Sequence, residues 1–293
     1  MKKEWKVVLG LGAVTGTTML ARAAYELTHF KIERYYVTSG KIPEAFHQTK
    51  IIFLSDLHNT EYGKENDRLL ESIKRENPDY IFIGGDMLVA KAGVSFLPAL
   101  SFVKKLAENY PVYYANGNHE YRLKIYPEQY GRNVYEDYVN ALKDAGVIYL
   151  CNESAKIRRQ NQEIIVSGLE IDAMYYHRLK RIKMSEIYLP SLLGLRKDER
   201  FCILLAHNPV YFPQYAKWGA DLVLSGHVHG GIVRIPFLGG VISPQLTLFP
   251  KYDAGVFSEG NSRMILSPGL GVHSIPFRLF NMPQMQVITL GCR

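Results

Sequence analysis

Cysteine is scarce: Cys151, Cys202 and Cys292 are the three in 293 residues, and none stands at the short spacing of a metal knuckle. That excludes a disulfide framework and a thiolate metal site, and Cys202, inside the apolar run 201–206, reads as a small buried hydrophobe. There is no internal repeat and no low-complexity tract, which removes solenoids and extended disordered tails. No stripe of interleaved basic and aromatic residues marks a nucleic-acid groove, so neither a nucleic-acid nor a specific protein partner is expected. Long hydrophobic runs are absent too. The uncharged stretch near the amino terminus, "VVLGLGAVTGTTMLA" at 7–21, falls short of the roughly 20 apolar residues of a comfortable span.

What is present reads as an ordinary globular chain, 47% hydrophobic and 22% charged, with length for one large domain or two modest ones. A formal charge of +7 is compatible with a phosphate-bearing substrate, an anionic lipid or nucleic acid, and chooses none of them. Lys2, Lys3 and Lys6 ahead of the uncharged stretch, and Arg22 behind it, give residues 1–26 the layout of a signal sequence or short signal anchor. "ARA" at 21–23 offers a small-x-small cleavage pattern, and a helix packed on the domain is the alternative. The resulting expectation is membrane association through this segment, with the catalytic domain extracytoplasmic or, alternatively, peripheral on the cytoplasmic side. Residues 27–47 read as a connector, and 48–293 as a single domain.

Short apolar runs alternate with amphipathic segments along that domain, the pattern of an α/β fold. Strands are expected at 50–55, 80–84, 111–115, 163–168, 201–206, 221–225, 263–267 and 286–290. Helices are expected at 64–76, 94–109, 134–145, 184–193 and 209–217. Five strand ends run straight into chemistry: Ser55 into "DLH", Gly84 into "GDM", Ala115 into "NGNHE", Ala206 into "HNP" and Ser225 into "GHVHGG". In an α/β sheet the carboxyl ends of strands are where ligands collect.

Taken singly, each of these tripeptides is an ordinary turn. Together they supply two carboxylates (Asp56, Asp86), one amide oxygen (Asn118) and four imidazoles (His58, His207, His227, His229). In "GHVH" alternate residues of an extended segment would face one side, presenting His227 and His229 to a common centre. The mixed N/O set suits borderline divalent transition metals such as Mn, Fe, Zn or Ni. Seven ligands exceed the needs of one ion and match two sharing a carboxylate.

Asp56-x-His58, Gly85-Asp86, Gly117-Asn118-His119-Glu120, His207 and Gly226-His227-x-His229 resemble, in order, the five-block signature of the calcineurin-like metallophosphoesterases. The resemblance covers roughly residues 50 to 290. It implies a four-layer α-β-β-α sandwich of two mixed sheets flanked by helices. It further implies that Asp56, His58 and His229 hold a first ion, that Asn118, His207 and His227 hold a second, that Asp86 bridges them, and that His119 is the general acid. "GDMLVA" (85–90) departs from the acid and arginine that follow "GD" in phosphoprotein phosphatases, which argues against that branch. "FPKYDAGVF" (249–257) and "PGLGVHSIPFRLFNMPQ" (268–284) look like the membrane-attached bacterial subgroup of phosphodiesterases and UDP-diacylglucosamine pyrophosphate hydrolases.

The implied reaction is hydrolysis of a phosphodiester or pyrophosphate bond, on a membrane-associated or lipid-linked phosphate ester. Two ions would lower the pKa of a shared water so that hydroxide attacks phosphorus in line, while His119 protonates the leaving group. Glu120 has two readings, orienting a histidine or pairing on the loop rim. Gly230 and Gly231 let the backbone turn sharply and leave clearance for substrate. Arg234 and Arg278 can each clamp a phosphate or form a structural salt bridge. The insert 168–195 is either a helical cap with a solvated basic face or a lid for a lipid-linked substrate. Rival readings are a nuclease or cyclic-nucleotide phosphodiesterase on the same core, and a non-catalytic metal-dependent scaffold, which has no use for His119.

Overall fold

The computed structural model describes residues 2–177, 182–231, 233–235, 238–242, 248–272 and 276–293, and for residues 2–4, 6 and 7 the backbone alone. The first strands are β1 (Lys31–Ser39), β2 (Lys50–Leu54), β3 (Tyr80–Ile83), β4 (Val112–Ala115), β5 (Ile148–Leu150), β6 (Glu153–Arg159) and β7 (Gln162–Leu169). They are followed by β8 (Cys202–Ala206), β9 (Leu222–Ser225), β10 (Arg234–Ile235), β11 (Gly239–Gly240), β12 (Gly255–Glu259), β13 (Ser262–Leu266) and β14 (Gln284–Cys292). The helices are α1 (Lys2–Thr28), α2 (Asp67–Glu76), α3 (Leu97–Ala107), α4 (Asn118–Ile125), α5 (Pro127–Tyr130), α6 (Val134–Asp144), α7 (Tyr188–Leu193) and α8 (Phe212–Trp218).

Two six-stranded sheets face each other, in the orders β1-β14-β2-β3-β4-β5 and β12-β13-β9-β8-β7-β6, with β10 and β11 forming a separate ribbon. Within the first sheet β2, β3, β4 and β5 run parallel, and β14 is antiparallel to β2. Within the second β13, β9, β8 and β7 run parallel, with β12 and β6 antiparallel at the edges. Strand periodicity divides the apolar residues between three layers of core. Ile51 and Phe53 of β2 point between the sheets with Phe82, Ile203, Leu205 and Leu224. Their neighbours Ile52 and Leu54 point outward under Leu69, Phe102 and Leu142 of α2, α3 and α6. On the far side Leu204, Val223 and Met264 carry Phe212 and Tyr215 of α8 and Leu189 of α7. This is the α-β-β-α sandwich expected from the sequence, its central strands buried on both faces and therefore continuously apolar.

Two expectations need correction. The stretch read as a connector contains β1, which pairs in parallel with β14 from Lys31 opposite Gln284 to Ser39 opposite Cys292. Only Val37 of β1 is buried, so the strand carries an edge's polar composition. The membrane-associated localisation expected from residues 1–26 is also overturned: among the described residues no helix is long and apolar enough to cross a membrane. Gly10, Gly12 and Gly16 thin the apolar content of α1, and Thr17 and Thr18 turn their hydroxyls back to the carbonyls of Ala13 and Val14. The last turns of α1 instead bury Ala23 and Glu26. Of the insert 168–195, residues 173–176 form a 3-10 turn and 188–193 form α7, while its basic centre at 178–181 lies outside the described residues.

Candidate metal centre

Five parallel strands deliver the seven candidate ligands to one edge of the sandwich. Asp56 and His58 follow β2, Asp86 follows β3, Asn118 follows β4, His207 follows β8, and His227 and His229 follow β9. Six of them lie together with His119 among them, and Asn118, next to His119 at the start of α4, is buried. Ligand atoms of Asp56, His58 and His229 are within 4.8 Å of one another, as are those of Asp86, His207 and His227. A third group, His58, Asp86 and His119, shares Asp86 with the second. Asp86 Oδ2 is 3.1 Å from His207 Nε2 and 3.8 Å from His58 Nε2, so it stands between the two sides.

The loops that hold these residues are bent in a way side chains ordinarily resist. Asp56, His58, Asp86, His227 and His229 all have φ between 49° and 74°, the left-handed region. Such conformations persist only where surrounding contacts over-determine them, and they cluster at functional sites. Here the loops stitch one another: Asp56 N donates to Gly85 O, His58 N to Asp86 O, and Gly226 N to His207 O, at 3.0–3.1 Å. The Asp56 carboxylate receives the His227 N–H and the Ser55 hydroxyl. "GHVH" is therefore a compact turn, with Gly231 N donating to Val228 O, and not the extended segment expected. Its two imidazoles part to different sides, His227 to Asp86 and His207, His229 to Asp56 and His58.

Asn118 opens α4, whose helical start the sequence reading took for a turn. Gly117 precedes it because a Cβ there would meet Asp86 N at 2.5 Å. Glu120, fully buried, accepts from Asp86 N, Met87 N, Gly117 N and the Tyr114 hydroxyl at 2.7–3.0 Å. It thus fastens the Asp86 loop to the Asn118 loop, matching neither earlier reading. Burial, with Asp86 nearby, raises its pKa.

Two histidines favour opposite tautomers in their neutral forms. Nδ1 of His207 lies 2.7 Å from the carbonyl of Gly84, which can only accept, so Nδ1 carries a proton and Nε2 is the atom turned to the carboxylates. Nδ1 of His119 receives the Ala90 N–H at 2.8 Å, so in its neutral form Nε2 carries the proton, 4.0 Å from Asp86 Oδ2. In their neutral forms the first leaves Nε2 with a lone pair facing the carboxylates, and the second leaves Nε2 with an N–H.

Charges follow the same division. Burial works to raise the pKa of Asp86, but His207, His119 and His58 hold it well below the usual carboxylate range. Burial lifts Asp56 to about 6, with Asp86 adding to it. Burial alone would lower His207, yet Asp86 and Asp56 draw it up to about 10. Burial pushes His227 and His229 well below the ordinary imidazole range, leaving them neutral with lone pairs to offer. A cation fits this set: Asn118 Oδ1 is buried with no hydrogen-bond partner among the described residues. His58 Nε2 and His229 Nε2 stand 3.1 Å apart, the spacing two nitrogens take on one ion at about 2.0–2.1 Å each. Loading such an ion near neutral pH displaces a proton from His207.

Both arginines singled out in the sequence spend their hydrogen bonds away from the ligand side chains, although the charge of Arg278 acts on His229 and Asp56. Arg234 pairs with Asp253 at 3.0 Å and donates to Gly230 O. Arg278 is 2% exposed and donates to the carbonyls of Pro268, Gly271 and Asn281, a structural role for its guanidinium. Gly230 and Gly231 serve backbone packing, with φ of 68° and 83°, and a Cβ on Gly230 would meet Asn281 and Pro268. Two residues were missed. Arg122 lies four positions along α4 from Asn118, hence on the same helix face, and its charge acts on His227. Tyr176, from the insert, sets its ring edge-on to His227 at 5.1 Å between centroids. Recognising α4 as a helix would have found Arg122, whereas nothing local marks Tyr176.

A family model described as calcineurin-like phosphoesterase matches residues 49–231. The chain is 26% identical over 286 residues to the metallophosphoesterase YkuE of Bacillus subtilis, covering 96% of this chain and 93% of that protein. It is 28% identical over 225 residues to the phosphodiesterase YaeI of Escherichia coli, covering 76% and 75%. Among solved structures, the phosphopantetheinyl hydrolase of Mycobacterium tuberculosis aligns at a TM-score of 0.45 and 14% identity, covering 80% of this chain and 96% of that one.

Proposed function

The chain belongs to the calcineurin-like phosphoesterase family and is a metal-dependent phosphoesterase, and from that premise we propose that it hydrolyses a phosphodiester or pyrophosphate bond. Asp56, His58 and His229 would hold one divalent ion, Asn118, His207 and His227 a second, and Asp86 both. The observation that carries this reading is the position of Asp86, grouped with His58 on one side and with His207 and His227 on the other. When bound, the ions supply an activated water and neutralise charge on the phosphoryl oxygens. His119, its Nδ1 fixed by Ala90 N, presents Nε2–H to the leaving oxygen. Glu120 keeps the Asp86 and Asn118 loops in register as charge shifts between them. Arg122 contacts a non-bridging phosphoryl oxygen, and Tyr176 lines the wall against which the leaving group rests.

The lipid-linked substrate suggested by the sequence leaned partly on "PGLGVHSIPFRLFNMPQ", whose Arg278 and Asn281 hold backbone carbonyls. It therefore enters as one arm of an assay. Manganese-loaded protein is expected to hydrolyse bis-p-nitrophenyl phosphate, to lose that activity in EDTA and to regain it with added Mn²⁺. Turnover of a lipid-linked pyrophosphate, a cyclic nucleotide or a dinucleotide beside it identifies the leaving group. Absence of metal-dependent hydrolysis across the whole panel would contradict the reading.

A further inference from the structure

The amino-terminal helix ends on a carboxylate withdrawn from solvent. Glu26 is fully buried; its Oε1 receives Arg22 Nε at 2.6 Å and its Oε2 receives the backbone N–H of Asn281 at 2.9 Å. A buried carboxylate is tolerated when its oxygens are occupied, and one of these is occupied from the far end of the chain. Asn281, 2% exposed, directs both hydrogens of its amide nitrogen at the metal turn, donating to His229 O at 2.7 Å and to Gly231 O. Its Oδ1 packs where Gly230 has no side chain, since a Cβ there would collide with it. Arg278 binds the same segment, donating to Asn281 O at 3.2 Å and to Pro268 O at 2.8 Å. Gly269, next along, lies so close behind the site that a Cβ would stand 2.8 Å from Asp56 Cβ and 3.3 Å from His229 Nδ1.

We propose that Glu26 and Asn281 are positioning residues for the ion held by Asp56, His58 and His229, an assignment that rests on the dinuclear reading above. His229 has a φ of 51°, which a histidine keeps only under constraint. One amide gripping the carbonyls of residues 229 and 231 supplies that constraint, and the Glu26 carboxylate fixes the backbone from which the amide projects. The amino-terminal helix is thereby a working part of the centre, joined to it through two hydrogen bonds. His227, whose backbone N–H is held by Asp56, does not depend on this relay.

The test is titration of the metal-free full-length chain with Mn²⁺, counting free ion by electron paramagnetic resonance. Wild-type protein takes up two ions. Asn281→Asp, which keeps the shape but turns an oxygen toward both carbonyls, is expected to weaken one ion by on the order of 10- to 100-fold and to leave the other unchanged. Glu26→Ala should do the same, and Glu26→Gln, which keeps an acceptor for Asn281 N, should restore binding to within a few-fold. Two ions bound at wild-type affinity in Asn281→Asp and Glu26→Ala, or both ions weakened in parallel, would overturn the assignment. Wild-type protein that takes up fewer than two ions would overturn the dinuclear reading beneath it, and the assignment with it.

Discussion

Asp86→Asn is expected to lower turnover of bis-p-nitrophenyl phosphate by at least about 10³-fold, because the metal pair contributes several kcal/mol of transition-state stabilisation at 1.36 kcal/mol per tenfold. The substitution is close to isosteric, and the asparagine oxygen can still accept the His119 N–H that Asp86 Oδ1 receives at 2.7 Å. What it removes is the charge that His207, His119 and His58 converge upon. The fold should therefore survive while the shared ligand does not. Steady-state turnover and the far-ultraviolet circular dichroism of the same sample decide the point. A variant within tenfold of wild type would show that Asp86 does not join the two sides.

His119→Gln separates proton donation from metal binding. General acid catalysis is typically worth about 10²–10⁴ in rate, and that loss is expected in full with an alkyl phosphodiester, whose alkoxide must be protonated as it leaves. With p-nitrophenolate, stable as an anion, the loss should be much smaller. The geometry requires this difference, since His119 Nδ1 already accepts from Ala90 N and Nε2 is left to carry the proton. Equal losses with both leaving groups, together with one fewer bound ion, would make His119 a ligand instead.

The part of this molecule legible in its sequence follows burial. All eight interior strands of the two sheets were readable as apolar runs, because both of their faces are covered. The edge strands β1, β6 and β12 were not, because an edge faces solvent: Glu153–Arg159 buries only Ile157, and Lys31–Ser39 only Val37; the edge strand β5 is apolar but only three residues long, too short to stand out as a run. The candidate ligands were visible because each follows an interior strand directly. Their grouping came from the resemblance and not from the alternation argument for "GHVH", which assumed an extended backbone, whereas both histidines are left-handed and their rings diverge. Least legible were the residues acting through others. Glu120 signals itself only once α4 is known to begin at Asn118, and Glu26 meets Asn281 across most of the chain's length. No local pattern carries a contact of that kind.

The central claim is that one edge of the sandwich holds two ions sharing Asp86. Crystals of the manganese-loaded protein, measured for anomalous scattering at the manganese edge, test it directly. Two full peaks are expected, one among Asp56, His58 and His229 and the other among Asn118, His207 and His227, with Asp86 in contact with both. A single fully occupied peak, with Asp86 bound to it alone, would contradict the account.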